Sequence, residues 1–482
     1  MKKYSKTIYI YENDIYNNGC KRLQRRVRKI IYDVVIMGGG FSGTIAAIAA
    51  ARTGASTLII EKNGYLGGAL TSAGVGPMMT FHVNEQQIIK GITGELIERL
   101  QAKDKSVGHI YDSTNYTYSV TPFDSEAMKY ELETMYLESQ GKILYHAMLA
   151  DVEVMDGCIQ SVTVCHKAGL ERIAGRVYID GTGDADLAYK SGVPCDVGRK
   201  KDHKTQPMTL NMKINGVNRE KLVHYIQTHP DNFKRMHNDI STITKVPRLS
   251  VIGFEKEFEC AKQEGRIHIQ REDVLLFETN EPGEFIVNTT RIRDCDPNDP
   301  YSLSLAEIEG RKQCQELEKF MKSDLEGFQN IHMISTGPSI GVRESRQIKG
   351  YYQFTSEDIL LAKIFDDVIA HSAYPIDVHS PDGEGTYHQR LQDGKYYSIP
   401  YRIVINPVIH NLLVTGGRCV SATFEAQAAI RTTPTVGGAI GHSVGIAAAL
   451  SARYNQYPDE INVHLIQKEL LKQNAYLNIK EK

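Results

Sequence analysis

Residues 30–61 leave a chain few ways to fold. Ile30-Ile31-Tyr32-Asp33-Val34-Val35-Ile36-Met37 is a β-branched, apolar run with the length of a buried parallel strand. Gly38-Gly39-Gly40 breaks it, Phe41 to Thr53 is Ala-rich and helical in character, and Gly54 stops the helix. Ser56 to Glu61 then reads as a second buried strand, which makes a β-α-β unit with a right-handed crossover. The joint between first strand and helix is Gly38-Gly39-Gly40-Phe41-Ser42-Gly43, a G-x-G-x-x-G. Gly38 suits the tight turn, Gly40 the close approach of backbone to a pyrophosphate, and Gly43 the packing of helix on sheet. Free N–H groups at the helix start, from Phe41 and Ser42 onward, face such phosphates. Glu61 closes the next strand 18 residues after Gly43, followed by Lys62. A carboxylate there accepts hydrogen bonds from ribose hydroxyls. The unit predicts a dinucleotide site.

The next segment chooses between dinucleotides. Asn63-Gly64-Tyr65-Leu66-Gly67-Gly68-Ala69-Leu70-Thr71-Ser72-Ala73-Gly74 is a long Gly-rich loop where a plain NAD domain would begin a helix. Small residues such as Gly67, Gly68, Ala69 and Thr71 suit backbone lying along a ribityl chain and a flat ring. FAD, held noncovalently, is the expected cofactor.

At 482 residues the chain exceeds one compact core. The expected fold class is α/β: a Rossmann-like FAD-binding domain, three-layered around a parallel sheet, with an inserted α+β substrate domain. Its expected pieces are a 1–29 extension, a discontinuous cofactor domain over 30–193 and 401–455, a cap over 194–400, and a helical tail over 456–482. Ser125 to Gln140 reads as a helix, Lys142 to Leu149 as a strand, and Ala150–Val154 with Cys158–Cys165 as an antiparallel excursion. Arg176–Asp180 and Asn411–Thr415 are further strands, each ending in glycine, and Thr435–Ala452 is an Ala/Gly-rich buried helix.

A net charge of −2 gives no general attraction to nucleic acid or anionic membrane. The basic run Lys21–Lys29 reads as a solvated lead-in. None of the eight cysteines forms a C-x-x-C pair, so neither a metal site nor a built-in cluster is expected, and a reducing cytoplasm suits them. The most apolar stretch, Tyr32–Ala51, is interrupted by four glycines and does not read as a membrane span.

In the order and spacing of its motifs the chain resembles the FAD-dependent oxidoreductases of the glutathione-reductase structural type. More narrowly it resembles a bacterial FAD-dependent oxidoreductase family, distant from fumarate reductase flavoproteins and from the flavin-bearing component of heterodisulfide reductase. The matching stretches include Tyr32–Gly43, Glu61–Gly74, Tyr178–Ala188, Thr205–Val217, Gly341–Asp358, Ala373–His379, Ile399–Arg402 and Val414–Ala449. The resemblance implies that Asp180-Gly181-Thr182-Gly183-Asp184 closes over the adenosine side, and that Met148 and Leu149 meet the adenine. It further implies that Gly417 and Arg418 lie by the pyrophosphate and ribityl chain. The helix starting near Thr435-Val436-Gly437 then faces the flavin N1/O2 edge, where its N-terminus stabilises negative charge. Phe424 departs from relatives, which often carry His there.

No second G-x-G-x-x-G follows a later strand, so no built-in nicotinamide domain is expected. The implied activity is hydride transfer between a small organic substrate and flavin N5. The alternative is an electron-transfer flavoprotein that works with an iron–sulfur partner and is related to the flavin-bearing component of heterodisulfide reductase. Candidate catalytic residues are Arg343 and Arg346 as an anion clamp, Arg402 as another anion contact, and His379, with Tyr374 and Asp377 beside it, as acid or base. His82, just past the flavin loop, is a further candidate for approach to the ring.

Overall fold

The computed structural model describes residues 12–14, 24–26, 31–236, 240–383, 385–431 and 434–479. The basic run at 21–29 therefore lies almost wholly outside the described residues. Only Gln24–Arg26 is seen from it, paired antiparallel with Glu12–Asp14.

Five parallel strands form the centre of the molecule. Their order is Lys142–Leu144, Thr57–Ile60, Ile31–Met37, Gly169–Asp180 and Leu412–Val414. Val34, Val35, Ile36, Ile59 and Ile179 are fully buried, as continuous apolar runs covered on both faces must be. Gly169–Asp180 belongs to two ladders. Its C-terminal half pairs parallel with Ile31–Met37, and its N-terminal half pairs antiparallel with Cys158–His166, which in turn pairs with Met148–Met155. The excursion predicted around Met155-Asp156-Gly157 is thus one hairpin, and Gly157 has the positive φ of 69° its turn requires.

The expected single strand over 142–149 is two. Lys142–Leu144 runs parallel to Thr57–Ile60, the chain turns through His146 at φ 54°, and Met148 begins the antiparallel hairpin. Apolarity runs through the turn, so the pattern alone gave no break.

Helices Phe41–Arg52 and Pro434–Tyr454 pack along each other on the sheet. The contact uses glycines one turn apart. A Cβ on Gly441 would lie 2.3 Å from the Ser42 carbonyl oxygen, and one on Gly445 would lie 2.0 Å from that of Ala46. Gly438 and Gly441 of Gly437-Gly438-Ala439-Ile440-Gly441 therefore serve helix packing. The two helices Phe424–Arg431 and Val436–Tyr454 meet at 92°. No single helix among the described residues is long and apolar enough to cross a membrane.

A second apolar core is built from residues between Met208 and Ile340. It rests on an antiparallel sheet ordered Ser250–Gly253, Val274–Glu278, Phe285–Val287, Met212–Asn215 and His332–Thr336. The 25-residue helix Pro300–Asp324 packs on it through Ala306, Cys314, Leu317 and Met321. This core is narrower than the expected 194–400 cap. Ile348, Phe354, Phe365 and Tyr397 belong instead to the first core. The polar, irregular sequence there disguised which core its buried positions join. Helix Val463–Lys472 closes the tail through Ile466 and Leu470, also on the first core.

Because the helix seam admits no side chain, Gly445→Ala should destabilise the fold by about 1–3 kcal/mol. A thermal or denaturant midpoint equal to the unsubstituted protein's would show that the seam is looser than described.

Candidate active site

Three neighbouring parallel strands end side by side in glycine turns, at Gly38, Gly181 and Gly416. Carboxyl ends of adjacent parallel strands are where open α/β sheets bind ligands. The turns are locked backbone to backbone. A Cβ on Gly38, at φ +94°, would lie 2.5 Å from the Gly181 oxygen, and one on Gly43 would lie 2.2 Å from the Gly38 oxygen. Gly40 differs. A Cβ there would meet only the Gly181 oxygen, at 3.5 Å, so its outer side is open. Gly38, Gly40, Ser42, Gly68, Thr182, Gly183, Asp184, Gly416 and Arg418 all keep partial exposure amid buried neighbours. They mark one partly exposed edge where the three strands end.

The Glu61 carboxylate is 6% exposed. Its Oε2 accepts the Gly39 N–H at 2.7 Å, and its Oε1 accepts the Asn63 amide and side chain at 2.8 and 2.9 Å. Two oxygens with about four acceptor positions leave capacity for a ribose hydroxyl. Lys62, next to it, is exposed. The Gly-rich loop folds back onto the first turn: Gly67 donates to the Gly39 oxygen at 2.9 Å and bridges Gly40. Gly68 reaches the Gly40 backbone so closely that a Cβ would lie 2.8 Å from its Cα. Thr71 donates to the Leu66 oxygen at 2.8 Å, and Ala69 is exposed. Met148 is 60% exposed, and the preceding residue, Ala147, donates to the Glu61 oxygen at 3.1 Å. Leu149 is half-buried. These features fit a dinucleotide: a cradle only glycine permits, a carboxylate with spare acceptors, and a strand edge beside it.

The buried Asp180 accepts Thr182 N–H and Oγ1, at 3.0 and 2.7 Å, and Ala188 N–H at 2.9 Å, which holds the 181–184 turn. Burial pushes this carboxyl up to about 6 against those hydrogen bonds. Ser42 Oγ lies 2.7 Å from Thr415 Oγ1 and donates to the Gly437 oxygen at 2.6 Å. The first helix start is thereby tied to the last strand end and to the last helix, where Val436 is fully buried.

Arg418 connects this cradle to the cap. It donates to the Gly183 oxygen at 2.6 Å, to Asp184 at 2.9 Å and to the Val342 oxygen. Gly417 abuts the end of helix Phe424–Arg431, since a Cβ on it would lie 1.7 Å from the Ile430 oxygen. Arg343 and Arg431 are thus each one residue from a cradle contact. The Gly-rich loop is stapled to the second core's residues as well: Asn211 Nδ2 donates to the Ala73 oxygen at 3.0 Å, and Ser339 N–H to the Ser72 oxygen at 3.0 Å.

A polar cluster stands at this junction. Arg343, Arg431, His379, Asp377 and the Tyr116 and Tyr374 rings are deeply enclosed, yet Arg343, Arg431, His379 and Tyr116 keep part of their surface free. His379 Nε2 lies 3.4 Å from Asp377 Oδ2, and its Nδ1 lies 3.2 Å from Thr386 Oγ1. Burial, reinforced by Arg343, pushes His379 down to about 3, so the ring is neutral near pH 7. Burial alone would raise Asp377, but the adjoining His379, Arg431 and Arg343 outweigh it and hold the carboxylate ionised. Burial and the neighbouring Asp377 push the Tyr116 hydroxyl up. Burial, then Arg431, pushes Arg343 down to about 9. Glu344 is pushed up to about 8 by burial.

Two arginines proposed from sequence fall elsewhere. Arg346 pairs with Asp186 at 2.9 Å, donates to the Asp184 oxygen and stacks 4.3 Å over Tyr189. It ties the 181–186 turn in place and does not join Arg343 as a clamp. Arg402 pairs with Asp367 at 2.9 Å, lies over Tyr352 and lines a surface groove with Ile364 and Ile461, apart from the cluster. His82 contacts Ser119 and the His109 ring, and neither belongs to the cluster. Phe424 opens the helix that carries Gln427, which donates to the Arg343 oxygen at 3.0 Å.

Arg431, Gln206, Thr209 and Tyr116 were not singled out from sequence. Arg431 ends a helix three residues before Pro434, a position that placed it beside the helix N-terminus already singled out. Tyr116 sits in the loop 112–118 and carries no local signal. Among the described residues no group of His, Cys, Asp or Glu is arranged to hold a metal ion.

Gly43→Ala forces the Gly38 turn open and should strip the purified protein of visible flavin absorption, with its secondary structure kept. Full flavin content in that variant would refute the cradle.

Comparison with known proteins gives the family. Over 113 residues the chain is 33% identical to dihydrolipoyl dehydrogenase of Trypanosoma brucei brucei, covering 20% of this chain and 24% of that one. Over 101 residues it is 30% identical to the mitochondrial dihydrolipoyl dehydrogenase of Schizosaccharomyces pombe, covering 18% and 20%. The chain thus spans under a quarter of the length of these curated relatives. Among solved structures it superposes on a geranylgeranyl bacteriochlorophyll reductase-like protein from Thermoplasma acidophilum with 12% identity, covering 92% of this chain and 84% of that one, at a TM-score of 0.46. It superposes on p-nitrophenol 4-monooxygenase from Pseudomonas putida with 11% identity, 92% and 85% coverage, and a TM-score of 0.47. The family model described as FAD dependent oxidoreductase matches residues 33–470, nearly the whole described chain. The chain belongs to the FAD dependent oxidoreductase family.

Proposed function

We propose that the protein passes hydride between a small organic substrate and FAD, with the substrate seated in the cleft beneath Arg343, Arg431 and His379. Bound FAD supplies a two-electron acceptor or donor at flavin N5. On this reading Gly38, Gly40, Phe41, Ser42 and Gly43 hold the pyrophosphate, and Glu61 and Lys62 serve the adenosine ribose. Met148 and Leu149 flank the adenine, and Gly181, Thr182, Gly183 and Asp184 close over it. Gly67, Gly68, Ala69, Thr71, Gly417, Arg418, Val436 and Gly437 border the ribityl chain and ring.

The observation that carries the reading is the Asp377–His379 pair, whose Asp377 carbonyl accepts from Arg431, the residue next to the Ile430–Gly417 contact. An ionised Asp377 accepts from Nε2–H and fixes the tautomer. The neutral ring then presents its Nδ1 lone pair to the Thr386 hydroxyl. A proton arriving at that hydroxyl passes to Nδ1, and Asp377 stabilises the imidazolium formed. A general base of this kind contributes about 10²–10⁴ in rate.

The test begins with the visible spectrum of the purified protein. A colourless preparation that takes up no FAD on reconstitution ends the proposal. Metabolite pools that bleach the flavin anaerobically then supply the substrate. His379→Ala should slow flavin reduction by about 10²–10⁴ while keeping FAD. Because His379 is held neutral down to about 3, the unsubstituted enzyme should show no His379 limb near pH 6.5. An unchanged rate in His379→Ala would remove the residue from the mechanism.

A further inference from the structure

Among the described arginines, some face carboxylates and others face neutral oxygens. Arg418, Arg346, Arg402 and Arg271 each face a carboxylate, Asp184, Asp186, Asp367 and Asp273 respectively. Arg343 and Arg431 face neutral oxygens. Arg343 Nη2 donates to Thr209 Oγ1 at 2.6 Å, and Arg431 Nη2 donates to Gln206 Oε1 at 2.8 Å and to the Asp377 carbonyl at 3.3 Å. The Nε of each is buried with no hydrogen-bond partner among the described residues.

The carboxylates nearby answer this charge only in part. Asp377 is the one ionised carboxylate felt by both guanidiniums, and its Oδ2 also faces the neutral His379 ring. Asp273 is shared by Arg271 and Arg235. Glu344 accepts the Gln206 N–H through one oxygen, and its burial favours the neutral acid. Arg291, the other cation felt by Arg343, donates to the carbonyls of Ser380, Gly383 and Gly385. Two guanidiniums therefore share one ionised carboxylate, Asp377, which leaves one positive charge in excess. Enclosed charge of one sign is costly unless a counter-charge completes it. Each guanidinium keeps an unused, buried N–H, and each residue keeps part of its surface exposed.

We propose that Arg343 and Arg431 form the recognition site for a carboxylate on the substrate, one oxygen taken by each guanidinium, so that the natural substrate is an organic acid. A planar fork with donors at Nε and Nη matches a carboxylate in size and geometry. Gln206 and Thr209 act as positioning residues that aim the forks, with Gln427 holding the Arg343 backbone. The inference rests on the functional reading above and goes beyond it in naming the chemical class.

The experiment uses full-length, FAD-loaded protein. Succinate, lactate and benzoate, each beside its neutral amide, are titrated by calorimetry and by perturbation of the flavin spectrum. At least one acid should bind, with its amide at least about tenfold weaker. Arg343→Gln and Arg431→Gln should each weaken that acid by at least about tenfold at unchanged FAD content. Arg266→Gln, on the cap surface, should leave binding unaltered. Arg343→Lys and Arg431→Lys keep the charge and lose the fork, so reduced binding in these tests the geometry if a Gln variant fails to fold. No acid bound by a protein that holds FAD overturns the carboxylate site and leaves the hydride reading standing. Acid binding indifferent to both arginines also overturns it. Inorganic phosphate bound through Arg343 and Arg431, with the acids excluded, assigns the site to a phosphorylated substrate and likewise overturns it. A protein that holds no FAD defeats the underlying reading first.

Discussion

Backbone meets backbone at Gly38, Gly43 and Gly181, closer than any side chain would allow. The contact sets the spacing of the first helix, the first strand and the long strand Gly169–Asp180. From it follow the open side of Gly40 and the proximity of the Gly416 turn. It also fixes where helix Pro434–Tyr454 can sit, because Ser42 reaches Gly437 across that gap. Hydrophobic burial supplies most of the stability of such a domain. The glycine contacts supply something different, a fixed geometry at the edge of a large apolar core.

Much of this half was legible in the sequence. Local patterns determine it: β-branched runs of strand length, an Ala-rich helix, and glycines where strands end. Gly38, Gly183 and Gly416 were readable because positive φ has a residue signature. The break at His146 was not, since a non-glycine residue adopts positive φ there inside an apolar run. The boundary of the second core was also hidden. Phe354 and Tyr397 lie in polar surroundings by sequence and reach the first core only through tertiary packing.

The site divides along the same line. The cradle is built from short motifs and was visible as such. The polar cluster is assembled from five distant stretches, around 116, 206, 343, 377 and 431, and a linear reading sees each as an isolated charge or ring. Arg343 and Arg346 illustrate the limit. They share one motif and look equivalent, yet one faces neutral oxygens in a cleft and the other an aspartate and a tyrosine ring. What distinguishes them is the partner each meets, which only the fold supplies.

Arg418 touches the 181–184 turn at Gly183 and Asp184 and, with the same guanidinium, the carbonyl of Val342 where the chain returns from the second core. One rigid, planar group thus spans the two bodies. By linkage, whatever steadies one end steadies the other by an equal free energy. The glycine turn at the sheet edge and the segment returning from the second core are thus mechanically a single part, and neither can shift without the other.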